Sequence, residues 1–274
     1  LPVLGRESIV LIAQLSDPHL RPAGALYQDL VDSNAMFDTA VDQVNALAPE
    51  VDLVLLSGDL IDKGTDAEYE MAKSAIARIR APVAAIPGNH DDREGFRRHF
   101  SHYEYLPASG PVHFALGKHG PVRIVAVDVT VPGAHHGDMT QDAVRWLDAT
   151  LAEEPARPTI VMLHQPPFLS GIPYIDDYAC RHGERLAAVV QRYSCVERIV
   201  CGHIHRAMLL RFGGTVLCTA PSTTTAIALR LDPQAEPASF VEPPAFLLHH
   251  WSEETGLVTH LVPIGSFRGP LPFA

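Results

Sequence analysis

Asp17, His19, Asp59, Asn89, His164, His203 and His205 form a donor set of carboxylates, imidazoles and one amide carbonyl, with no thiolate. Mixed oxygen and nitrogen ligation of this kind suits Mn, Fe, Zn or Co better than soft-metal or cluster binding. Seven side chains are too many for one ion that keeps an open coordination position, but they suit two ions that share a ligand. Two ions about 3.5–4 Å apart can clamp the attacking and leaving oxygens of a phosphoryl transfer, with water activated between them as the nucleophile. Asp59 is the natural bridge, because a carboxylate has two oxygens and Gly58-Asp59 stands alone at its strand end. His90, next to Asn89, is the candidate proton donor or transition-state stabiliser, and an imidazole so placed contributes typically about 10²–10⁴-fold. The other reading of His90 is hydrogen-bond support of Asp17 or Asp59.

The elements that must position these groups are short apolar runs. IVLIAQL (9–15), VDLVLLS (51–57), PVAAIP (82–87), VRIVAVD (122–128), TIVMLH (159–164), RIVC (198–201) and TVLC (215–218) read as buried strands by length and Val/Ile/Leu content. Five of these runs each end in Asp, Asn or His, at the carboxyl edge where open α/β sheets place ligands. Glycine precedes the polar residue three times (Gly58, Gly88, Gly202), which lets the backbone turn sharply and come close to a ligand. Between the strands lie helical stripes. Phe37, Val41, Val44 and Leu47 follow Ser33 as an expected N-cap; Tyr69, Ala72, Ile76 and Ile79 follow Asp66; Val144, Leu147 and Leu151 follow Thr140; Leu186, Val189 and Val190 form a shorter stripe. The alternation predicts an α/β protein.

Taken singly, each polar residue has a plainer reading. A lone Asp after a strand is usually a turn or helix cap, and with 15 histidines in the chain the remaining ones, His135 and His249 among them, are taken as non-ligands. Asp62, Asp91 and Asp92 read as caps or hydrogen-bond acceptors, Arg93 and Arg206 as salt-bridge residues. The weight rests on the joint order of D-x-H, GD, GNHD, strand-His and GHxH.

Composition narrows the partners. With 21 Lys and Arg against 32 Asp and Glu, the formal charge of −11 disfavours nucleic-acid polymers, whose binding needs clustered cations. Positive charge for phosphate must therefore be local, and metal ions supply it. Hydrophobic residues make up 47%, enough for a sizeable core. No apolar run is long enough to span a membrane. The four cysteines (Cys180, Cys195, Cys201, Cys218) lack CxxC spacing and read as buried thiols, with a single disulfide left open. A cytoplasmic location is expected, and a start at Leu1 rather than Met leaves room for an upstream piece.

The motif set resembles the calcineurin-like metallophosphoesterase superfamily. That resemblance implies an α/β, four-layer αββα sandwich of two mixed β-sheets flanked by helices. It also implies two divalent or trivalent metal ions, one held by Asp17, His19, Asp59 and His205 and the other by Asp59, Asn89, His164 and His203. Leu26-Tyr27 with Asp32, GNHDD (88–92), VPGAHHG (131–137) and HQPPF (164–168) are similar to bacterial class III cyclic-nucleotide phosphodiesterases, and related glycerophosphodiesterases share much of this. The expected function is hydrolysis of small phosphodiesters, 3′,5′-cyclic nucleotides ahead of glycerophosphodiesters. The alternatives are a broad phosphomonoesterase on the same site or a non-catalytic metal-binding scaffold. Asn89 and His90 are the expected substrate contacts, with Tyr27 and the surroundings of His205 as further candidates. Where some glycerophosphodiesterases place a histidine after the last core strand, this chain has Ser222-Thr223-Thr224-Thr225. The expected division is a catalytic core at 1–220, a proline-rich cap or oligomer-contact excursion at 221–246, and a C-terminal hairpin at 247–274. A homodimer through the excursion is expected.

Overall fold

The computed structural model of the protein describes residues 9–269 and 271–272. Strand β1 (Ile9–Leu15) is followed by helix α1 (Ser33–Asn45), β2 (Leu53–Leu56), α2 (Asp66–Ile76), β3 (Val83–Ala85) and α3 (Arg93–His99). Next come β4 (Phe114–Leu116), β5 (Arg123–Ala126), α4 (Gln141–Glu153), β6 (Thr159–Met162), α5 (Pro173–Asp176), α6 (Gly183–Val190) and β7 (Val196–Cys201). The chain ends in β8 (Met208–Phe212), β9 (Thr215–Thr219), β10 (Ala226–Ile227), β11 (Ser239–Phe240), β12 (Ala245–Ser252) and β13 (Gly256–Pro263).

These strands make two large mixed sheets, ordered β13-β12-β1-β2-β3 and β4-β5-β6-β7-β9-β8, and a small β10-β11 pair. In the first sheet β1, β2 and β3 are parallel and β12 runs antiparallel to β1. In the second, β5, β6, β7 and β9 are parallel, with β4 and β8 as antiparallel edges.

The two-residue period of a strand sends alternate side chains to opposite faces, and the second sheet shows what each face meets. Ile124, Ala126, Ile160, Met162, Val200 and Cys218 join one core with the residues of the first sheet. Their neighbours Val125, Val161, Leu163, Ile199 and Leu217 pack instead against Leu147, Leu151, Leu186 and Val189 of α4 and α6. Phe37, Val41, Tyr69, Ile76 and Phe96 of α1, α2 and α3 cover the first sheet. The layers therefore run helix, sheet, sheet, helix, as the resemblance implied. Strands covered on both faces read as unbroken apolar runs, which is why the sequence announces them.

Two helix starts behave differently from each other. Thr140 caps α4 as expected, accepting from Ala143 N. For α1 the expectation was Ser33, but Asp32 is the cap and accepts from Ala35 N. The Ser33 hydroxyl donates instead to the His19 carbonyl at 2.9 Å, tying the helix start to the loop after β1. All four cysteines are buried free thiols. Among the described residues no helix is long and apolar enough to cross a membrane.

Candidate metal centre

Each candidate ligand follows a strand of the two central sheets. Asp17 and His19 follow β1, Asp59 follows β2, Asn89 follows β3, His164 follows β6, and His203 and His205 follow β7. The loops are laced together by the backbone: Asp17 N donates to Gly58 O, His19 N to Asp59 O, and Gly202 N to His164 O, all at 3.0–3.1 Å. The glycines before the polar residues are there for close approach. A Cβ on Gly58 would lie 2.3 Å from His164 Nδ1, one on Gly88 2.2 Å from Asp59 Oδ1, and one on Gly202 2.2 Å from Ser16 Oγ.

Asp17, His19, Asp59, His203 and His205 all have positive φ, between 44° and 73°. Asp and His enter this left-handed region more often than most residues, but at a cost. Such conformations cluster where the surroundings over-determine them, commonly at functional sites.

The donor atoms converge. Asp17, His19 and His205 offer ligand atoms within 4.8 Å of one another, and so do Asp59, His164 and His203. His19 Nε2 and His205 Nε2 lie 3.1 Å apart. His164 Nε2 lies 3.3 Å from Asp59 Oδ2 and 3.2 Å from Asn89 Oδ1. The imidazoles are aimed by their far nitrogens: His164 Nδ1 donates to Ser57 O at 2.7 Å and His205 Nδ1 to Thr225 O at 2.9 Å. That leaves each Nε2 directed at the shared space, an arrangement typical of metal-binding histidines.

Charge and burial test whether cations fit. Burial opposes ionisation of Asp59, yet the charges of His164, His90 and His19 outweigh it and hold the carboxyl well below its usual range. Burial, reinforced by the charge of His164, pulls His203 down to about 3. The ring is therefore neutral, and its buried Nε2 has no hydrogen-bond partner. A buried lone pair with no donor to meet, beside two buried carboxylates, is a place for a cation. The donor groups fit two metal ions, around Asp17, His19 and His205 on one side and Asp59, His164 and His203 on the other.

His164 adds a testable consequence. Burial disfavours its charge, but Asp59 and Asp17 outweigh this and raise the ring to about 9. Below that pH the metal-free ring carries a proton where an ion would sit, so binding must displace it. Apparent Mn²⁺ affinity is expected to rise with pH through neutrality and level off near 9. Calorimetry at pH 7 in buffers of different ionisation enthalpy reads the released proton directly; binding with no proton release would remove His164 from the ligand set.

His90 stands at the edge of this cluster. Its backbone N donates to Asp59 Oδ1 at 2.9 Å, and its Nδ1 donates to the Asp62 carbonyl at 2.7 Å. Burial opposes protonation of the ring, but Asp59 and Asp62 prevail and its pKa is raised. Asp91 accepts from Gly88 N and Leu60 N, and Asp92 caps α3. Arg93 pairs with Asp128, and Arg206 with Glu242 and the Ile227 carbonyl.

Tyr27 stacks on His19, with centroids 4.5 Å apart and planes 8° from parallel. The cleft over the centre, about 230 Å³, is lined by Tyr27, Asn89, His90, His203 and His205. It is also lined by His135, Tyr174, Tyr178, Ile227 and Ser239, which residue types alone did not bring to the site. His135 lies 3.2 Å from Asn89 Nδ2, so this imidazole touches the amide of a candidate ligand. Ile227 and Ser239 come from the β10-β11 pair, and Ser222 Oγ donates to the Asp17 carbonyl. The Ser-Thr stretch is thus packed beneath the centre.

A family model described as calcineurin-like phosphoesterase matches residues 10–207. The chain belongs to that family. As a calcineurin-like phosphoesterase it is a hydrolase. It is 33% identical over 265 residues to the probable glycerophosphodiester phosphodiesterase of Arcobacter nitrofigilis, covering 96% of this chain and 97% of that protein. It is 29% identical over 225 residues to the 3′,5′-cyclic adenosine monophosphate phosphodiesterase of Escherichia coli, covering 81% and 79%. Among solved structures, a dimetal phosphatase from Danio rerio superposes with a TM-score of 0.64 at 13% identity, covering 94% of this chain and 100% of that one. That likeness concerns the fold.

Proposed function

We propose that this calcineurin-like phosphoesterase is a two-metal phosphodiesterase for small diesters, with Asp17, His19, Asp59, Asn89, His164, His203 and His205 as ligands and His90 as the catalytic acid. The observation that carries the reading is the convergence of buried donor atoms around the unpartnered Nε2 of His203. Two ions bound there lower the pKa of water and neutralise phosphate charge. The protein's own groups do the rest. His90 Nδ1 donates a hydrogen bond to the Asp62 carbonyl, which leaves Nε2 as the nitrogen able to serve the leaving oxygen. Asp59 and Asp62 raise its pKa above the ordinary imidazole value, the direction that suits an acid. Tyr27 covers the face of His19 and excludes water from it.

Two substrate classes have support. Glycerophosphodiesters are supported by the likeness over nearly the whole chain to a relative named for that activity. Cyclic nucleotides are supported by the relative named for cyclic AMP and by the ring-lined wall of His135, Tyr174 and Tyr178, on which a base can stack. The reading is tested with metal analysis, then glycerophosphocholine, cyclic AMP, cyclic GMP, bis(p-nitrophenyl) phosphate and p-nitrophenyl phosphate side by side. Diesters are expected to be the faster class. A monoester preference would replace this reading with a phosphomonoesterase, and activity on neither class with a scaffold.

We retain Fe, Mn, Zn or Co as the metals, from the oxygen and nitrogen donors. The division at 220 and 246 also stands as our reading, its outer ends (1–8, 270, 273–274) lying outside the described residues. A homodimer through 221–246 is supported by exposed Leu229, Leu231, Phe240 and Val241 on that stretch.

A further inference from the structure

A polar line crosses the apolar space between the two sheets, and no step above uses it. Gln14, on β1, is fully buried, and so is His249 on β12. Gln14 Nε2 donates to Ser57 Oγ at 2.9 Å and to the Cys201 carbonyl at 3.0 Å. Both protons of the amide are then committed, so Oε1 is the acceptor facing His249 Nε2 at 3.2 Å. His249 must carry its proton on Nε2, and its Nδ1 accepts from Thr259 Oγ1 of β13 at 2.9 Å. Burial, with the nearby Arg198 charge, pulls His249 down to about 3, so the neutral tautomer persists across the working pH range. Every proton in the line has one assignment, which makes it a fixed strut and not a switch.

The ends of the strut decide what it does. Ser57 immediately follows β2, Cys201 is the last residue of β7, and Gln14, near the end of β1, sits three residues before Asp17. These are the three strands whose following loops carry all five left-handed candidate ligands: Asp17 and His19, Asp59, His203 and His205. Asn89 and His164, which follow β3 and β6, are not among the positive-φ residues. Ser57 also presents the carbonyl that aims His164, and its hydroxyl donates to Ser16 Oγ, next to Asp17. A left-handed ligand is held by its loop's attachment, so a small slide of one strand against another would move these donor atoms more than it would disturb the core.

We infer that Gln14, braced by His249, is a positioning residue of the metal centre: it locks β1, β2 and β7 in register so that their strained loops present ligands to both ions. This rests on the reading of those residues as ligands. It gives the C-terminal hairpin, remote in sequence from every ligand, a part in metal affinity.

The test compares Gln14→Leu with Phe37→Leu, a buried apolar substitution on α1, outside the three strands and with no part in the polar line. Melting temperature is measured on the metal-free proteins, and Mn²⁺ isotherms and the visible spectrum of the Co²⁺ form on the loaded ones. Both variants are expected to melt lower. Gln14→Leu is expected to weaken Mn²⁺ binding by about 10–100-fold, the usual scale for losing a group that orients ligands, and to change the Co²⁺ spectrum. Phe37→Leu should leave both at wild type. Equal loss of affinity in the two variants, or none in Gln14→Leu, overturns the inference. If Gln14→Leu does not fold, His249→Phe, which keeps both Gln14 donor bonds, is judged against Phe37→Leu by the same criterion, with a smaller loss expected. Wild-type protein that binds no metal would sink the ligand assignment itself, a result distinct from wild-type binding that Gln14→Leu leaves intact.

Discussion

Asp59→Asn is expected to fold, to lose at least one metal ion per chain, and to retain on the order of one part in 10³ of the activity or less, the scale of removing a directed charge from a reacting centre. Asn is the informative replacement because the backbone at Asp59 has φ 51°. Asn tolerates that conformation, whereas Ala there adds backbone strain to the loss of the ligand. Asn also keeps an oxygen for the 2.9 Å bond from His90 N, so the adjacent loop stays anchored and the change is confined to charge. The carboxylate is the only candidate common to both implied ion positions, and its Oδ2 lies 3.8 Å from His19 Nε2 and 3.3 Å from His164 Nε2. Asp59→Ala should lose the dinuclear centre altogether. Metal content by elemental analysis, read beside the Mn²⁺ isotherm, checks both. Two ions bound by Asp59→Asn at wild-type affinity would remove Asp59 as the bridge.

The strands that deliver the ligands were legible because both of their faces are buried. IVLIAQL coincides with β1, and the runs at 159–164 and 198–201 fall on β6 and β7. Elements that lack such burial left no comparable mark. In β8 the side chains alternate between half-buried and exposed, with Leu209 71% exposed, so its apolar residues do not report a core. Helix α3, Arg-Glu-Gly-Phe-Arg-Arg-His, is held by its Asp92 cap and by Phe96, too little for a stripe. The cap of α1 was displaced by one residue for a tertiary reason: Ser33 is needed by the His19 carbonyl, and no local rule contains that bond.

The site divides in the same way. The candidate ligands were readable because type and position repeat at strand ends. Their conformation was not. Nothing in Asp-Pro-His or Gly-His-Ile-His announces that four of those residues are left-handed; that follows from backbone bonds between loops far apart in the chain, such as Asp17 N to Gly58 O. His135, Tyr174 and Tyr178 were equally hidden, since they reach the cleft from a loop and a one-turn helix with no strand pattern to place them. Gln14 is the sharpest case. A polar residue inside an apolar strand run reads as an interruption, and only the positions of Ser57, Cys201 and His249 give it a purpose.

His90→Ala is expected to keep both metal ions and to lose about 10²–10⁴-fold in kcat, the range for a positioned acid or base. Metal retention follows from the geometry. The bond that His90 makes to Asp59 comes from its backbone N, which alanine preserves, and its Nδ1 donates to the Asp62 carbonyl, while the ring meets His19 only edge-on, with centroids 4.8 Å apart. The ring does share a 4.8 Å cluster with His19 and Asp62, so metal content must be measured and not assumed. Leaving-group dependence then separates catalysis from support. If His90 protonates the departing oxygen, its loss should be felt fully with an alkoxide, as in glycerophosphocholine or cyclic AMP, and far less with p-nitrophenolate, which departs without help. A defect of equal size on both kinds of leaving group, with metal content falling in step, would make His90 a brace for the centre and leave the proton to be delivered by another group in the cleft.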